Sequence, residues 1–187
     1  MQRVLFCALL ASAACASSAA EVAGVRLDDK AQVESRELVL NGAGLRKRII
    51  FNVYVIGLYL PEKKSDPAAV LALPGPKRAQ MHMLRDVGAD TFTEALVEGL
   101  RKNTGDAEYK ALEPRVNQLA AIIAQIGEAK KGMNIALDWT GAATQVMVDG
   151  KPAGNAIAGE DFYRALLRIW LGDKPVQDDL KKSLLGA

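Results

Sequence analysis

Histidine is almost missing from this chain: His82 is the only one among 187 residues. A histidine-built metal centre needs more ligands than one, and a Ser-His or Cys-His hydrolase needs an imidazole with an orienting partner that no neighbouring motif identifies. Cysteine is as scarce. Cys7 and Cys15 are the whole supply, and both fall near the start, so no multi-disulfide scaffold holds the rest of the chain. An excess of one charge is also lacking, since 24 Lys and Arg face 22 Asp and Glu for a net charge of +2. That balance provides no dense basic patch, and nucleic acid is not an expected partner. No Gly-Lys-Ser/Thr phosphate loop occurs, and Gly42 and Gly44 lack the third glycine and strand-turn-helix setting of a dinucleotide fingerprint. The adjacent pairs Asp28-Asp29 and Asp178-Asp179 define no metal geometry by themselves. The expectation is a protein without metal or organic cofactor.

Residues 1–20 read MQRVLFCALLASAACASSAA, with one cation at Arg3, an apolar run from Val4 to Ala14, and small residues ending at Ala20. This is the pattern of a secretory signal with a small-x-small cleavage site, and the run is too short for a spanning helix. Cleavage near Ala20 removes both cysteines and leaves residues 21–187 as one domain, periplasmic or secreted. No second apolar run of spanning length follows, so no stable membrane insertion is expected after cleavage, and the mature chain is read as a monomer.

Short strands are favoured over residues 22–27 and 37–40. Residues 48–60, RIIFNVYVIGLYL, are rich enough in β-branched and aromatic side chains to predict one long strand buried on both sides. A further strand is predicted over residues 77–87, with Met81, Met83 and Arg85 on one face and Gln80, His82, Leu84 and Asp86 on the other. The period then changes. Phe92, Ala95, Leu96, Gly99 and Leu100 have helical spacing, and Thr91 with Glu94 resembles a capping box. A short helix from Asp106 is predicted to stop before Pro114, which opens another helix ending at Gly127. A hairpin over residues 133–148 follows, then a helix over 160–171 closed by Gly172 and a last helix from Pro175 to about residue 185. The order describes an α+β fold, a largely antiparallel sheet packed against a layer of helices.

The run Asn41-Gly-Ala-Gly-Leu-Arg46, followed by the strand ending Ile56-Gly-Leu-Tyr-Leu60, resembles the chalcone isomerase fold family, and the later elements follow in that family's order. The resemblance covers residues 21–187 and is greatest to the bacterial, signal-bearing chalcone-isomerase-like branch. It implies that Arg46 is the family's arginine at the end of a glycine-rich segment. The family's enzymes close a flavanone ring by phenolate attack on an enone, and a cation or donor stabilises the developing enolate. Carried over position by position, Arg46 is retained. The enzymes' strand threonine is Tyr54 here, the tyrosine opening the next helix is Phe92, and an asparagine one helical face later is Gly99. Two of those replacements lose the polar group, so no catalytic residue is assigned, with Arg46 and Tyr54 the pair an isomerase would use.

Family members without isomerase activity include fatty-acid-binding proteins in which the same arginine is thought to meet a carboxylate. One guanidinium fork and apolar walls suffice for that role. The resemblance therefore implies non-catalytic binding of a small amphipathic acid such as a fatty acid, in a cavity anchored by Arg46 and lined by Tyr54, Phe92 and Gly99. An intramolecular lyase or isomerase acting on a chalcone-like enone is one alternative. A structural or partner-binding envelope protein, its cavity filled by side chains, is another.

Plainer readings stand beside these. Arg46 with Lys47 and Arg48 also reads as a solvated turn cluster. Arg85, between apolar positions, is either a second anion-binding group or, more plainly, a snorkelling arginine or a structural salt bridge. Tyr54 and Tyr59 are an odd number of residues apart and face opposite sides of their strand. Trp139 and Trp170 read as core anchors, His82 as a surface residue and Asn103 as a helix stop.

Overall fold

A computed structural model describes residues 20–186; the signal segment expected at the start, with Cys7 and Cys15, lies outside the described residues except for Ala20. The described residues form strands β1 (Ala20–Val22), β2 (Val25–Leu27), β3 (Lys30–Val33), β4 (Arg36–Arg48) and β5 (Phe51–Leu60). Helix α1 (Pro67–Ala72), strand β6 (Lys77–Met83) and helices α2 (Ala89–Asn103) and α3 (Asp106–Ile126) follow. The chain closes with β7 (Asn134–Trp139), β8 (Ala143–Val148), β9 (Lys151–Ala158), α4 (Glu160–Leu171) and α5 (Asp178–Leu184). Strands β3 to β9 make one antiparallel sheet in chain order, and β1 with β2 forms a separate hairpin. No helix among the described residues is long and apolar enough to cross a membrane.

Each strand alternates its side chains between two faces, and the two faces build two cores. Ile56, Leu58, Met81 and Met83 join the core shared with the helices. Val55 and Tyr59 join a smaller core with Leu27 and Leu38 on the opposite face. Tyr54 and Tyr59 thus part as their odd separation predicts. The helix layer is tied to the sheet by Tyr163, whose buried Oη donates to Leu137 O at 3.1 Å. Arg115 grips Asp161 through two bonds of 2.6 and 2.7 Å and so links α3 to α4.

The elements depart from expectation at instructive places. Residues 48–60 are not one strand: Arg48 ends β4, and Ile49 and Ile50 form the turn into β5. The β-branched run hides this turn because nothing in it has turn chemistry. The glycine-rich segment is strand throughout, inside a thirteen-residue β4. Helix α2 starts before Thr91, with Gly88 at its cap and no side-chain cap bond, so the Thr91–Glu94 box is not used. Pro114 lies inside an unbroken α3. Its position and that of Lys110, whose carbonyl loses its partner, are exposed to water, while Tyr109, Leu112, Val116, Leu119 and Ile123 carry one buried stripe past it. β6 ends at Met83, short of residue 87. β9 is absent from the expected set because Pro152 and Gly154 weaken its pattern. As an edge strand it tolerates both.

The glycines of β4 have a packing role. A Cβ at Gly42 would lie 2.2 Å from Ser183 O, and one at Gly44 would lie 2.6 Å from Leu180 Cδ1. Helix α5 therefore rests on bare backbone. Gly42→Ala is expected to destabilise the fold by about 2–3 kcal/mol because the obstacle is backbone that cannot swing away, whereas Gly105→Ala, with open space around it at the cap of α3, should cost only the poorer cap, about 0.5–1 kcal/mol in urea unfolding. Equal midpoints for the two variants would refute this seating.

Candidate functional site

The helices do not close fully onto the sheet. A cavity of about 510 Å³ remains between β4–β8 and helices α2, α3 and α4, within the size range of small-molecule sites. Its interior is apolar: Met81, Met83, Leu96, Leu119, Leu137 and Val146 line it and are buried. Its rim is different. Arg48, Ile49, Phe51, Arg85, Asp86 and Thr91 line it and are exposed, which places the opening where the β4–β5 turn meets the segment between β6 and α2.

Arg46 stands at this junction. It pairs with Tyr54 across the β4–β5 ladder, and Tyr54 pairs with Met83 on β6, so the three form a row across the sheet. The ladder shifts register between Arg46 and Lys47, and Gln177 holds the shift from outside. Its Nε2 donates to Leu45 O at 3.1 Å, and its Oε1 accepts from Lys47 N–H at 2.9 Å. At the other end of α5, Asn41 donates to Leu184 O at 2.7 Å, donates to Lys64 O at 2.9 Å and accepts from Lys64 N–H at 2.7 Å. Both ends of the short helix are thereby fastened around the strand that carries Arg46.

Two of the polar groups inside this frame, the Arg46 guanidinium and the Trp170 indole, can only donate, and the third, the Tyr54 phenol, accepts from the indole. The Arg46 guanidinium donates to Lys47 O, and among the described residues no ion pair to Arg46 forms. Trp170 Nε1–H donates to Tyr54 Oη at 3.0 Å. Burial pushes the Tyr54 phenol above its ordinary value, and the Trp170 N–H and the Arg46 charge pull the other way without overcoming it. Neither arginine nor tryptophan has an acceptor to offer. Among the described residues no hydrogen bond from the Tyr54 phenol to an acceptor forms.

Of the five residues expected to line a ligand site, Arg46, Tyr54, Arg85 and Phe92 line this cavity. Gly99 does not. It faces α4, where a Cβ would sit 2.9 Å from Ile169 Cγ2, so it sets the spacing of α2 and α4 rather than leaving room for a ligand. Arg85 forms no ion pair among the described residues; its guanidinium carbon lies 4.4 Å from the centre of the Phe51 ring, a cation–π contact at the rim. Asp86 is the carboxylate of the rim, and it accepts from Lys131 N–H at 2.7 Å. His82 is outside the cavity and approaches Asn134 Oδ1 at 3.0 Å.

Two contributors escape a reading of the sequence. Trp170 is a core anchor by burial, at 5 % exposure, but its indole N–H also fixes Tyr54. Gln177 has no local pattern, and its partners lie some 130 positions away. Asn103 does more than stop α2. Its side chain donates to Lys174 O at 2.9 Å and accepts from Lys174 N–H at 3.0 Å, holding the segment between α4 and α5. A cavity filled by side chains, one of the expected possibilities, is not what stands beside Arg46.

A crystal structure of a fatty-acid binding protein from Arabidopsis thaliana superimposes with a TM-score of 0.67 at 13% sequence identity, over 87% of this chain and 92% of that one. At that identity the likeness speaks for the fold. No curated protein matches the sequence. The profile described as chalcone isomerase-like matches residues 19–186, and with the antiparallel sheet and helix layer in that arrangement, the chain belongs to the chalcone isomerase-like family.

Proposed function

We propose that this chain is an exported binding protein that holds a small amphipathic acid, such as a fatty acid, without transforming it. The carboxylate sits against Arg46 and Tyr54, and the alkyl part fills the apolar cavity behind them. The observation that carries the reading is a guanidinium and a phenol O–H together at the edge of an apolar cavity, with no ion pair to Arg46 among the described residues: a carboxylate supplies acceptors for both. That the structurally similar plant protein is a fatty-acid binding protein agrees with it. The N-terminal segment delivers the chain to the periplasm or outside the cell, where it acts as a monomer in its single domain, residues 21–187.

The alternative of enone isomerisation has the Arg46–Tyr54 pair in its favour. Against it, a phenol pushed up by burial is a weaker acid than an exposed one, and Phe92 offers the cavity no proton. Turnover of a chalcone that disappears in Arg46→Ala would replace the binding reading.

Native mass spectrometry of the exported protein should show an added mass matching an acid, absent in Arg46→Ala, together with the cleaved N-terminus. Titration with a long-chain acid should give a dissociation constant raised about tenfold to a hundredfold in Arg46→Met, the worth of a charge-assisted hydrogen bond. No added mass and no stabilisation by any medium- or long-chain acid would sink the proposal.

The pH dependence follows from the same groups. Binding should weaken as the ligand carboxylate protonates, in the range around pH 4. It should then stay level through neutral and mildly alkaline pH, because the raised Tyr54 phenol keeps its proton and stays a donor. Affinity should fall again only above about pH 10, as the phenolate forms and repels the carboxylate. In Tyr54→Phe that alkaline fall should be absent, and a fall of the same size in the variant would show that Tyr54 does not meet the ligand.

A further inference from the structure

The β4–β5 turn presents large apolar side chains to water. Ile49 is 89% exposed, Ile50 82% and Phe51 50%, and these are the large hydrophobic residues left exposed among those described. Ile49 also has a φ of +58°. A β-branched residue is strained in that region, and a two-residue hairpin turn of this kind ordinarily places glycine there. The fold thus keeps an isoleucine at the apex where glycine would fit better. Nothing in the intramolecular packing explains that choice.

The surroundings say what the tip meets. Lys47 and Arg48 flank it and are exposed, and Arg85 lies over Phe51. The carboxylates nearby are outnumbered: Asp86 accepts from Lys131 N–H and keeps its charge, and Glu98 pairs with Lys102 at 2.6 Å and feels the Arg46 and Arg48 charges, while Lys47, Arg48 and Arg85 stand at the tip. An apolar apex ringed by cations is complementary to an anionic lipid bilayer, whose surface attracts the cations and whose interface accepts the side chains. The tip is also part of the cavity rim. We propose that the β4–β5 turn docks this protein on anionic lipid bilayers, with Ile49, Ile50 and Phe51 entering the interface, the flanking cations on the headgroups, and the cavity mouth held against the surface. Exchange of an acid between bilayer and cavity at that mouth rests on the binding function proposed above; the docking itself does not.

The test uses vesicles of phosphatidylcholine and phosphatidylglycerol in equal parts, phosphatidylcholine vesicles, and no added acid. Wild type and variants are the exported protein with its N-terminus cleaved, as checked by mass, so residues 1–20 add no lipid affinity of their own. Wild type should sediment with the anionic vesicles and release as salt is raised. I49G/I50S should bind about tenfold or more weakly, with a thermal midpoint no lower than wild type, since glycine relieves the strained φ. K47E/R48E should lose the preference for anionic vesicles. In I50W the indole emission should shift to the blue on anionic vesicles and be quenched by brominated acyl chains. Equal vesicle binding by wild type and I49G/I50S, or an unshifted I50W emission, would overturn the proposal. So would a wild-type dimer that I49G/I50S dissolves while vesicles leave both proteins unbound, because the tip would then be an interface between copies. Acid titration without vesicles reports separately on the cavity, so either reading can fail alone.

Discussion

Helix α5 can lie on β4 only because Gly42 and Gly44 leave the strand bare, and the position of Arg46 follows from that contact. The seven-residue helix is too short to hold its own shape in water. It is made by its surroundings: Leu180 and Leu184 are buried in the main core, Asn41 takes its last carbonyl region, and Gln177 spans the register shift beside Arg46. The strand gains from this as much as the helix. Beyond residue 39, β4 has no β3 partner on its outer edge, and its exposed N–H and C=O groups would otherwise be free to pair elsewhere. Gln177 satisfies one of each. A glycine pair that fails as a dinucleotide fingerprint in the sequence is a seat for a helix that covers an edge and stiffens the strand end carrying the guanidinium.

The cavity arises from the same economy of contact. Helices α2 and α4 approach closely where Gly99 meets Ile169, while α3 is joined to α4 by Arg115–Asp161 and by Arg168–Glu108 at exposed positions. These ties fix the helix layer at its sides and ends, and the middle stands off the sheet. Small residues line the space that remains, Ala95, Ala129 and Gly127 among them. Larger side chains there would fill it, and interiors ordinarily are filled to near-crystalline density. A space of about 510 Å³ is left between the helix layer and the sheet.

How far the sequence discloses this differs between levels. Periodicity reveals α2, α4 and the β7–β8 hairpin because their buried faces are regular and uninterrupted. It fails at the β4–β5 turn, where two isoleucines occupy a turn and the strand pattern runs straight through it, and at Pro114, where a continuous packed stripe outweighs one lost hydrogen bond on a wet face. At the site, Arg46 comes from the resemblance and not from its local setting, which reads equally as a solvated cluster. Tyr54, Arg85 and Phe92 also reach the cavity. Gly99 does not, because a glycine on a helix marks close approach of something, and only the coordinates say whether that is a ligand or a neighbouring helix. Trp170 and Gln177 are invisible for a simpler reason: their partners are distant in sequence, and hydrogen bonds of that kind leave no spacing to detect.

The direction of donors decides what class of ligand suits such a cavity. A guanidinium and an indole can only give hydrogen bonds, and they turn the Tyr54 oxygen into the recipient of both its neighbours' attention. An amine would bring a second cation beside Arg46, and an alcohol would offer fewer lone pairs to Arg46 and the Tyr54 proton. A neutral hydrocarbon would bury Arg46 and the Tyr54 proton unsatisfied, which costs more than the apolar contact near them returns. A carboxylate satisfies both and needs no further polar group along its tail, which matches walls that provide none. On the binding reading proposed above, the headgroup is chosen at the rim and the tail by apolarity inside, through side chains whose positions are set by a strand register, a clasped helix and one buried indole.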